Sequence, residues 1–436
     1  MSKSKTEQSA IATNIEDGVV IDGFRMISLK TPIEDIVTLQ GSFLGGEVYS
    51  PSSNTAVAEI TAEMLDEGTT KRDKFVISRM LEDVGASISI WAGKYRIRFK
   101  AMCLKKDVPL VIDILGEQLR SPAFNKTDLE PSIKRRIGDL KRSKEETSVR
   151  AMEAFLQELY PEDHPNYSVL VNKQIKDTGK VKESDLKKFH RLHYGLGNLI
   201  MVAVGDVDRS VFEKAIHVAF SGWGRSGLTI DLSGPIKAKR IRKPRATVVN
   251  MRDKTSADLV IGQPIGIDRE HEDFLPLMIG HYILGGNFSA RLMATTRDEE
   301  GLTYGIRSAL GGIENGNDGY WYIWGTFAPE LMEQGRESTL FQLNKWVDEG
   351  VTEEELAAKK TTITGTYQVT LATTGGLANR IMSIAERGKE MSYIDEFPQE
   401  ICSIQLRKVN EVIRQYSNPK KLVFVSAGSI EVKGNQ

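Results

Sequence analysis

One order of helices and strands recurs in the two halves of the sequence. Residues 81–90 (LEDVGASISI) and residues 297–306 (RDEEGLTYGI) each close a helical pattern at a glycine and then enter a strand-like run. Around both segments, short β-rich runs alternate with amphipathic helical stretches. Such a repeat favours a layered arrangement in which each half builds its own sheet and covers it with helices. We therefore predict an α+β protein with two similar halves, each a mainly antiparallel sheet with helices packed on it.

The repeat also decides the number of domains. A chain of 436 residues would make about three domains of roughly 150 residues, whereas the repeat predicts two. We place an N-terminal domain at 1–225, a linker at 226–245 and a C-terminal domain at 246–436. The linker carries the basic run KAKRIRK at 237–243. Because no aromatic residues are interleaved and the net charge is −1, this run is typical of an exposed, solvated tether rather than of a nucleic-acid-binding patch.

Local patterns place the elements that matter for function. Apolar spacing predicts a helix at 55–65 and one long helical stretch at 129–159. In the second half, residues 290–300 are predicted to form a helix that ends at Gly301 and leads into a strand at 303–309.

Residue counts and motif searches exclude several kinds of protein. Cys103 and Cys402 form no CxxC pair, so a cysteine-based zinc or iron–sulfur site is excluded and a disulfide framework is not expected. Lys+Arg (58) nearly equals Asp+Glu (59), which argues against a protein that mainly grips the nucleic-acid backbone. The six histidines form no H-E-x-x-H or H-x-x-E-H motif, and the sequence has no P-loop, G-x-S-x-G or Rossmann pattern.

The sequence predicts neither a secretory signal nor a membrane span. Its first residues lack an apolar core, and no stretch approaches the roughly 18 apolar residues of a spanning helix. We expect a cytoplasmic protein, with a periplasmic location as the alternative if a signal was trimmed from the N-terminus.

Four strings, in this order along the chain, resemble the M16 family of zinc peptidases, the pitrilysin and insulysin group, and above all its short bacterial and mitochondrial-processing-type members. They are residues 41–47 with the helix 56–65 and Gly68-Thr69, residues 189–198 (FHRLHYGLGN) with GDVD at 205–208, residues 284–292 (LGGNFSARL), and residues 297–304 (RDEEGLTY). Each string is weak by itself, and the ordered set carries the resemblance. It implies a fold like that of M16 and LuxS metallohydrolases, in which such a chain is a half-clamshell beside a peptide cavity.

The resemblance implies where the family holds zinc. Two histidines of an inverted H-x-x-E-H motif lie on one helix face, the glutamate between them activates the metal-bound water, and a downstream glutamate completes the site. The matching positions are Glu59, Ala62, Glu63 and Leu140, so all four residues differ from the motif. Two neighbouring carboxylates repel each other and offer too few oxygens for a hard cation. We therefore expect no metal and no cofactor here, only a solvated acidic helix face that lines a cavity.

Arg297 and Tyr304 match the family's Arg/Tyr pair in residue type and in separation. The resemblance implies that the tyrosine hydroxyl hydrogen-bonds the substrate and stabilises the oxyanion, and that the arginine assists in positioning. From spacing alone, the alternative is an ion pair of Arg297 with Glu299 or Glu300 and a tyrosine that belongs only to its sheet. The surrounding string favours the substrate-binding role.

These residues together predict a function that depends on a partner. The chain resembles the non-catalytic, substrate-binding subunit of a heterodimeric M16 zinc metallopeptidase, inactive alone. Its partner would be a homologous M16 subunit with an intact motif, which would hold the only zinc, and the substrate a peptide or unfolded polypeptide; neither nucleic acid nor a membrane is an expected partner. One alternative is a structural M16 homologue, like the core subunits of respiratory complexes. The other is an independently active hydrolase with an unrecognised site.

Overall fold

A computed structural model describes residues 10–229 and 237–430. Its strands are β1 (Ile15–Ile21), β2 (Phe24–Lys30), β3 (Ile36–Leu44), β4 (Ser87–Ala92), β5 (Arg96–Leu104), β6 (Ile200–Gly205), β7 (Arg245–Asn250), β8 (Ala257–Pro264), β9 (Thr303–Gly311), β10 (Tyr320–Phe327) and β11 (Val423–Gly428). Its α-helices are α1 (Val57–Glu63), α2 (Lys74–Glu82), α3 (Val108–Arg120), α4 (Lys126–Lys144), α5 (Thr147–Leu159), α6 (Val171–Thr178), α7 (Glu183–His193), α8 (Arg209–Phe220), α9 (Phe274–Gly285), α10 (Met332–Glu349), α11 (Glu353–Leu371), α12 (Thr374–Glu386), α13 (Tyr393–Ser403) and α14 (Leu406–Tyr416). A π-helix covers Met293–Glu299. Within these described ranges, no helix combines the length and the apolar character that crossing a membrane requires.

The first sheet has the strand order β1-β2-β6-β3-β5-β4 and is antiparallel except between β2 and β6. Strand β6 is buried along its whole length, because helices cover both faces of the sheet. On one face, Phe24, Leu39 and Phe99 pack with residues of α1, α3, α7 and α8. On the other face, Ile27 and Val202 pack with α12.

The second sheet has the strand order β7-β11-β8-β10-β9 and is antiparallel except between β7 and β11. Helix α5 covers one side, where Phe155 belongs to the same buried cluster as Val260. Helix α9 contributes His281, whose ring lies near the buried rings of Trp321 on β10 and Trp346 on α10. The second sheet, like the first, thus has its core on the faces that helices cover.

The two sheets share one topology. Without β1, the order β2-β6-β3-β5-β4 corresponds strand by strand to β7-β11-β8-β10-β9, and the parallel pair stands at the same place in both. The predicted α+β class, with two similar and mainly antiparallel halves covered by helices, is therefore confirmed.

The compact units of the chain are not continuous in sequence. Among the described residues, the first unit takes 10–138, 174–229 and 366–399, and the second takes 139–173, 237–365 and 400–430. Each half of the sequence therefore contributes a segment to the other unit. Helix α5, from the first half, packs on the second sheet, and α12, from the second half, packs on the first sheet. This division differs from the predicted boundaries, which assumed one continuous segment for each domain. The reason is that an amphipathic pattern shows which face of a helix is buried, but not which sheet buries it.

Two helical predictions and the linker are corrected. The stretch 129–159 consists of two helices, α4 and α5, and the predicted helix 290–300 is largely the π-helix. Residues 230–236 of the linker lie outside the described residues. In the part of the linker that follows, the basic side chains are exposed as expected. The segment is nevertheless not a free tether, because Ile241 is buried and the backbone N–H of Lys239 donates to the carbonyl of Leu159 at 2.7 Å.

Candidate functional site

Helix α1 carries three of the four altered motif positions. Its apolar residues pack into the core of the first unit, and the carboxylate of Glu59 forms an ion pair with the guanidinium of Arg136 on α4. The pKa of Glu59 is raised to about 7, mainly by burial; Arg136 opposes the rise, and the nearby carboxylates of Glu47 and Glu63 add to it. The solvated acidic face expected from the sequence is therefore wrong at Glu59, which has a cationic partner within the unit.

The remaining motif positions offer little to a metal. Ala62 is fully buried, and Leu140 on α4 is buried as well, so neither supplies a donor atom. Glu63 is the last residue of α1, and the Glu59 carboxylate already binds a guanidinium, whose positive charge would repel a cation. Counting only residues 10–229 and 237–430, no group of three or more His, Cys, Asp or Glu side chains is arranged to hold a metal ion. The residues present do not fit zinc.

Two of the histidines, His190 and His281, take part in packing. The Nε2 atom of His190 lies 2.8 Å from the carbonyl oxygen of Leu119. His281 is buried, its Nδ1 atom lies 2.8 Å from Ser308 Oγ, and burial lowers its pKa to about 3. These rings do not replace the missing zinc ligands.

Arg297 and Tyr304 come together in the second unit, although they lie on different elements. Arg297 belongs to the π-helix, and Tyr304 stands near the start of β9. The guanidinium carbon of Arg297 lies 5.7 Å from the centroid of the Tyr304 ring and 5.6 Å from that of Phe288. Both distances suit cation–π contacts. We call Phe288, Arg297 and Tyr304 together the Arg297 cluster.

Two backbone irregularities build this cluster. The first is the π-helix itself, a rare conformation that occurs frequently at functional sites. The second is a β-bulge: Thr303 and Gly305 pair with consecutive residues of β10, so Tyr304 is the extra residue between them. A bulge re-aims the side chain it carries, and Tyr304 is 87% exposed.

The alternative, in which Arg297 and Tyr304 have only structural roles, does not describe this arrangement. The ion-pair contact of Arg297 is with Asp298, at 3.8 Å, instead of with Glu299 or Glu300, and such exposed contacts contribute little. Tyr304 stands out from the sheet at a bulge instead of packing on it. The phenol of Tyr304 is therefore open to solvent and lies next to a half-buried guanidinium.

Sequence reasoning missed two residues of these sites. Phe288 lies in the string 284–292, and its signal is a large apolar side chain placed directly after the turn-forming run Gly-Gly-Asn. Arg136 lies four residues before Leu140, so it is one turn away on the same helix. The signal in the sequence is a basic residue one helical turn before Leu140, the position at which the zinc motif of the family requires a glutamate.

Two family models match the chain. The model described as Insulinase (Peptidase family M16) matches residues 25–170, which include α1 and α4. The model described as Peptidase M16 inactive domain matches residues 180–363, which include the Arg297 cluster. The altered zinc-motif positions thus lie in the region that the first model matches, and the Arg297 cluster lies in the region that the second model matches.

Three relatives are similar over most of their length. An uncharacterized zinc protease of Streptomyces coelicolor is 24% identical, over 85% of this chain and 80% of its own. The non-peptidase homolog YmxG of Helicobacter pylori is 22% identical, over 88% of this chain and 87% of its own. The mitochondrial-processing peptidase subunit beta of Lentinula edodes is 19% identical, over 97% and 92%.

A solved structure has the same fold. The peptidase M16 inactive domain from Pseudomonas fluorescens aligns with a TM-score of 0.85 and 22% sequence identity, over 96% of this chain and 98% of that chain. At this level of identity, the match shows the fold and leaves the activity open.

Proposed function

The chain belongs to the peptidase M16 family, and from that premise we propose that it is the non-catalytic, substrate-binding subunit of a heterodimeric M16 zinc metallopeptidase. One contrast carries the proposal. The residues at the zinc-motif positions cannot form a metal site, since Glu59 is bound by Arg136 and Ala62 is buried. The Arg/Tyr pair, in contrast, is assembled, with an exposed Tyr304 beside a half-buried Arg297.

In the proposed pair, the zinc chemistry belongs to the partner, a homologous M16 subunit with an intact motif, and this chain supplies binding groups. The Tyr304 hydroxyl would donate to the substrate oxygen on which negative charge develops, and the Arg297 fork would hold a peptide carbonyl or carboxylate. Strand β9 is the last strand in the order of the second sheet. An extended peptide can therefore pair with its edge beside Tyr304.

The names of two relatives support the two parts of the proposal. One is called a non-peptidase homolog, in agreement with the lack of a metal site here. Another is called a subunit of a processing peptidase, in agreement with a partner-dependent role.

The test reconstitutes the pair with an M16 homologue from the same organism that has an intact H-x-x-E-H motif. Arg297→Ala and Tyr304→Phe should each lower kcat/KM of the pair by roughly 10²–10³-fold, the loss typical of one oxyanion donor. Arg307→Ala is the matched control, because Arg307 also stacks on aromatic rings of this sheet, at 5.7 Å from Tyr322 and 5.4 Å from Trp324. Its side chain lies outside the cluster, and pairing of a peptide with the edge of β9 would use backbone groups, so kcat/KM should stay nearly unchanged.

Other outcomes would redirect the assignment. If Arg297→Ala and Tyr304→Phe cleave as fast as the wild-type pair, the active-site contribution is wrong. If, in addition, the isolated chain binds no unstructured peptide, a structural role replaces the proposal. Chelator-sensitive turnover by the chain alone would instead establish an independent hydrolase.

A further inference from the structure

A buried lysine holds the loop that carries Phe288. Lys359 on α11 is only 5% exposed. Its ammonium donates to Asn287 Oδ1 at 3.0 Å, to the Ser289 carbonyl at 3.0 Å and to Ser289 Oγ at 2.7 Å, which engages all three of its N–H donors. Burial lowers the pKa of Lys359. Burying an ammonium costs little free energy only when each of its N–H groups has an acceptor. Because the acceptors here belong to the loop, these contacts specify the conformation of the loop.

A second cation fixes the chain just beyond the loop. Arg291 binds Glu355 of α11 through two parallel hydrogen bonds, Nε to Oε1 at 2.6 Å and Nη2 to Oε2 at 2.7 Å. Its Nη2 atom also donates to the carbonyl of Gly350 at 2.9 Å. Bidentate pairs of this kind restrict orientation as well as distance. Helix α11 and the turn before it therefore tie down the backbone around Phe288.

The side chain that this framework holds is not itself buried. Phe288 is 78% exposed, and its ring lies against the guanidinium of Arg297. A single exposed apolar residue is ordinary on a protein surface. An exposed ring on a loop fixed by two cations differs from that case, because the backbone that carries it is held in one place before any ligand arrives.

The cluster also has a mixed chemistry. Arg297 offers a planar fork of N–H donors, while Phe288 and Tyr304 place exposed aromatic surface next to it. A peptide carbonyl matches the fork, and a large apolar side chain beside that carbonyl matches the rings, since both surfaces lose contact with water. A carboxylate there would meet the negative faces of the rings and gain no partner on them, and a second cation would be repelled by Arg297.

We propose that Phe288 is a third substrate-contacting residue of the Arg297 cluster, that it selects peptides with a large apolar side chain next to the carbonyl held by Arg297, and that Lys359 is its positioning residue. The inference rests on the proposed function, because it requires a peptide to reach the cluster. It adds to that function a class of peptide and two further residues.

The first experiment measures fluorescence anisotropy of labelled, unstructured peptides bound to the full chain and to the reconstituted pair. The peptides are identical except for one position, scanned along the sequence and occupied by Leu, Ala or Asp. At one position the wild type should prefer Leu over Ala by about tenfold, the value expected for partial burial of an apolar side chain. Phe288→Ala should bring this ratio close to one, and Phe288→Leu should retain most of it.

The positioning role of Lys359 has its own variants. Lys359→Met keeps the length of the side chain and removes the ammonium, and it should reduce the Leu-over-Ala ratio to about threefold or less because the ring is no longer fixed. Lys360→Met is the matched control, since the neighbouring lysine donates to the carbonyl of Cys402 and does not touch the loop. A ratio of affinities is insensitive to a general loss of stability as long as both proteins are folded.

The second experiment needs no peptide. With 4-fluorophenylalanine in place of Phe288, the fluorine resonance reports on the surroundings of the ring. Arg297→Ala and Lys359→Met should shift or broaden it, and Lys360→Met should not.

The outcomes separate the two proposals. If the wild type binds no peptide, the proposed function fails and the selection fails with it. If the wild type binds peptides but Phe288→Ala keeps the Leu preference, only the further inference is overturned. If the preference depends on Phe288 while Lys359→Met changes neither the ratio nor the resonance, Lys359 has no positioning role.

Discussion

The two polar sites of the chain differ in the partners of their charged groups. In the first unit, Glu59 is largely removed from water and has a partner of opposite charge in Arg136. In the second unit, the side chain of Arg297 is similarly half-buried, but it lies against two exposed rings, and its carboxylate contact, with Asp298, is as long as 3.8 Å. A charged group that leaves water needs a partner. At the first site, Glu59 has such a partner within the unit, whereas at the second site Arg297 can still accept one from a ligand.

The shared topology makes this comparison informative. Strands β3 and β8 hold equivalent places in their sheets, as do β4 and β9. Helix α1 follows β3, and the π-helix precedes β9. One framework therefore carries the two sites on different elements, the closed site on the helix after the third strand of one sheet and the open site on the π-helix before the edge strand of the other. For this reason, similarity of fold alone assigns a function to neither site.

The largest expected effect tests whether Arg136 closes the first site. Glu59→His combined with Glu63→His places two imidazoles one turn apart on α1, the spacing of a helical zinc pair. Adding Arg136→Gln to this double variant should raise its zinc affinity by roughly a hundredfold, because a positive charge beside a divalent cation is removed. Isothermal titration with zinc, or the absorption of bound cobalt, measures the difference.

The neighbouring arginine provides the control for zinc binding. Arg135, the neighbour of Arg136 on α4, binds Glu67 at 3.1 Å. Arg135→Gln should change the zinc affinity of the double variant by less than about threefold, since its more distant charge is screened. Equal affinities with and without Arg136 would show that the ion pair does not exclude a metal.

The next effect concerns stability. Arg136→Met removes the partner of Glu59 and keeps an apolar stem. We expect the free energy of unfolding to fall by about 1–2 kcal/mol at pH 8, less than for a fully buried pair, because the side chains are 24% and 29% exposed. Urea unfolding measures this loss, and Arg135→Met should change the free energy by no more than about 0.5 kcal/mol.

The pH dependence of that loss follows from the sign of the Glu59 shift. Its folded pKa, about 7, lies above the roughly 4.3 of an unfolded glutamate. The folded state therefore binds this proton more tightly, and stability falls as the pH rises between these values. Arg136 opposes the fall, so the difference between wild type and Arg136→Met should grow from pH 5 to pH 8. Asp66, whose pKa is also raised to about 7, is present in both proteins. A difference that stays constant over this range would contradict the ion pair.

The sequence predicts the elements well and their partners poorly. Apolar patterning predicted two similar halves and the strand at 303–309, close to β9, but not β7 or β11. The family resemblance of the string 297–304, rather than spacing alone, identified Arg297 and Tyr304. The assignment of α5 and α12 to the opposite units depends on long-range packing, which no local pattern encodes. The π-helix and the bulge at Tyr304 are equally invisible, because each inserts a residue against the regular period.

The smallest expected effect lies in the open site. Arg297→Ala, Tyr304→Phe and Phe288→Ala should each change the free energy of unfolding by no more than about 0.5 kcal/mol, because Phe288 and Tyr304 are exposed and the half-buried Arg297 has a long carboxylate contact. Phe288 and Tyr304 are 78% and 87% exposed, so the fold gains little from their contacts with Arg297. Urea unfolding of the three variants, next to Arg136→Met, measures both sites on one scale. A loss as large as that of Arg136→Met would mean that the cluster is satisfied within the fold, and the contrast between a closed and an open site would no longer hold. Small losses together with a large drop in kcat/KM of the pair are the combination expected when a site keeps its interactions for a ligand.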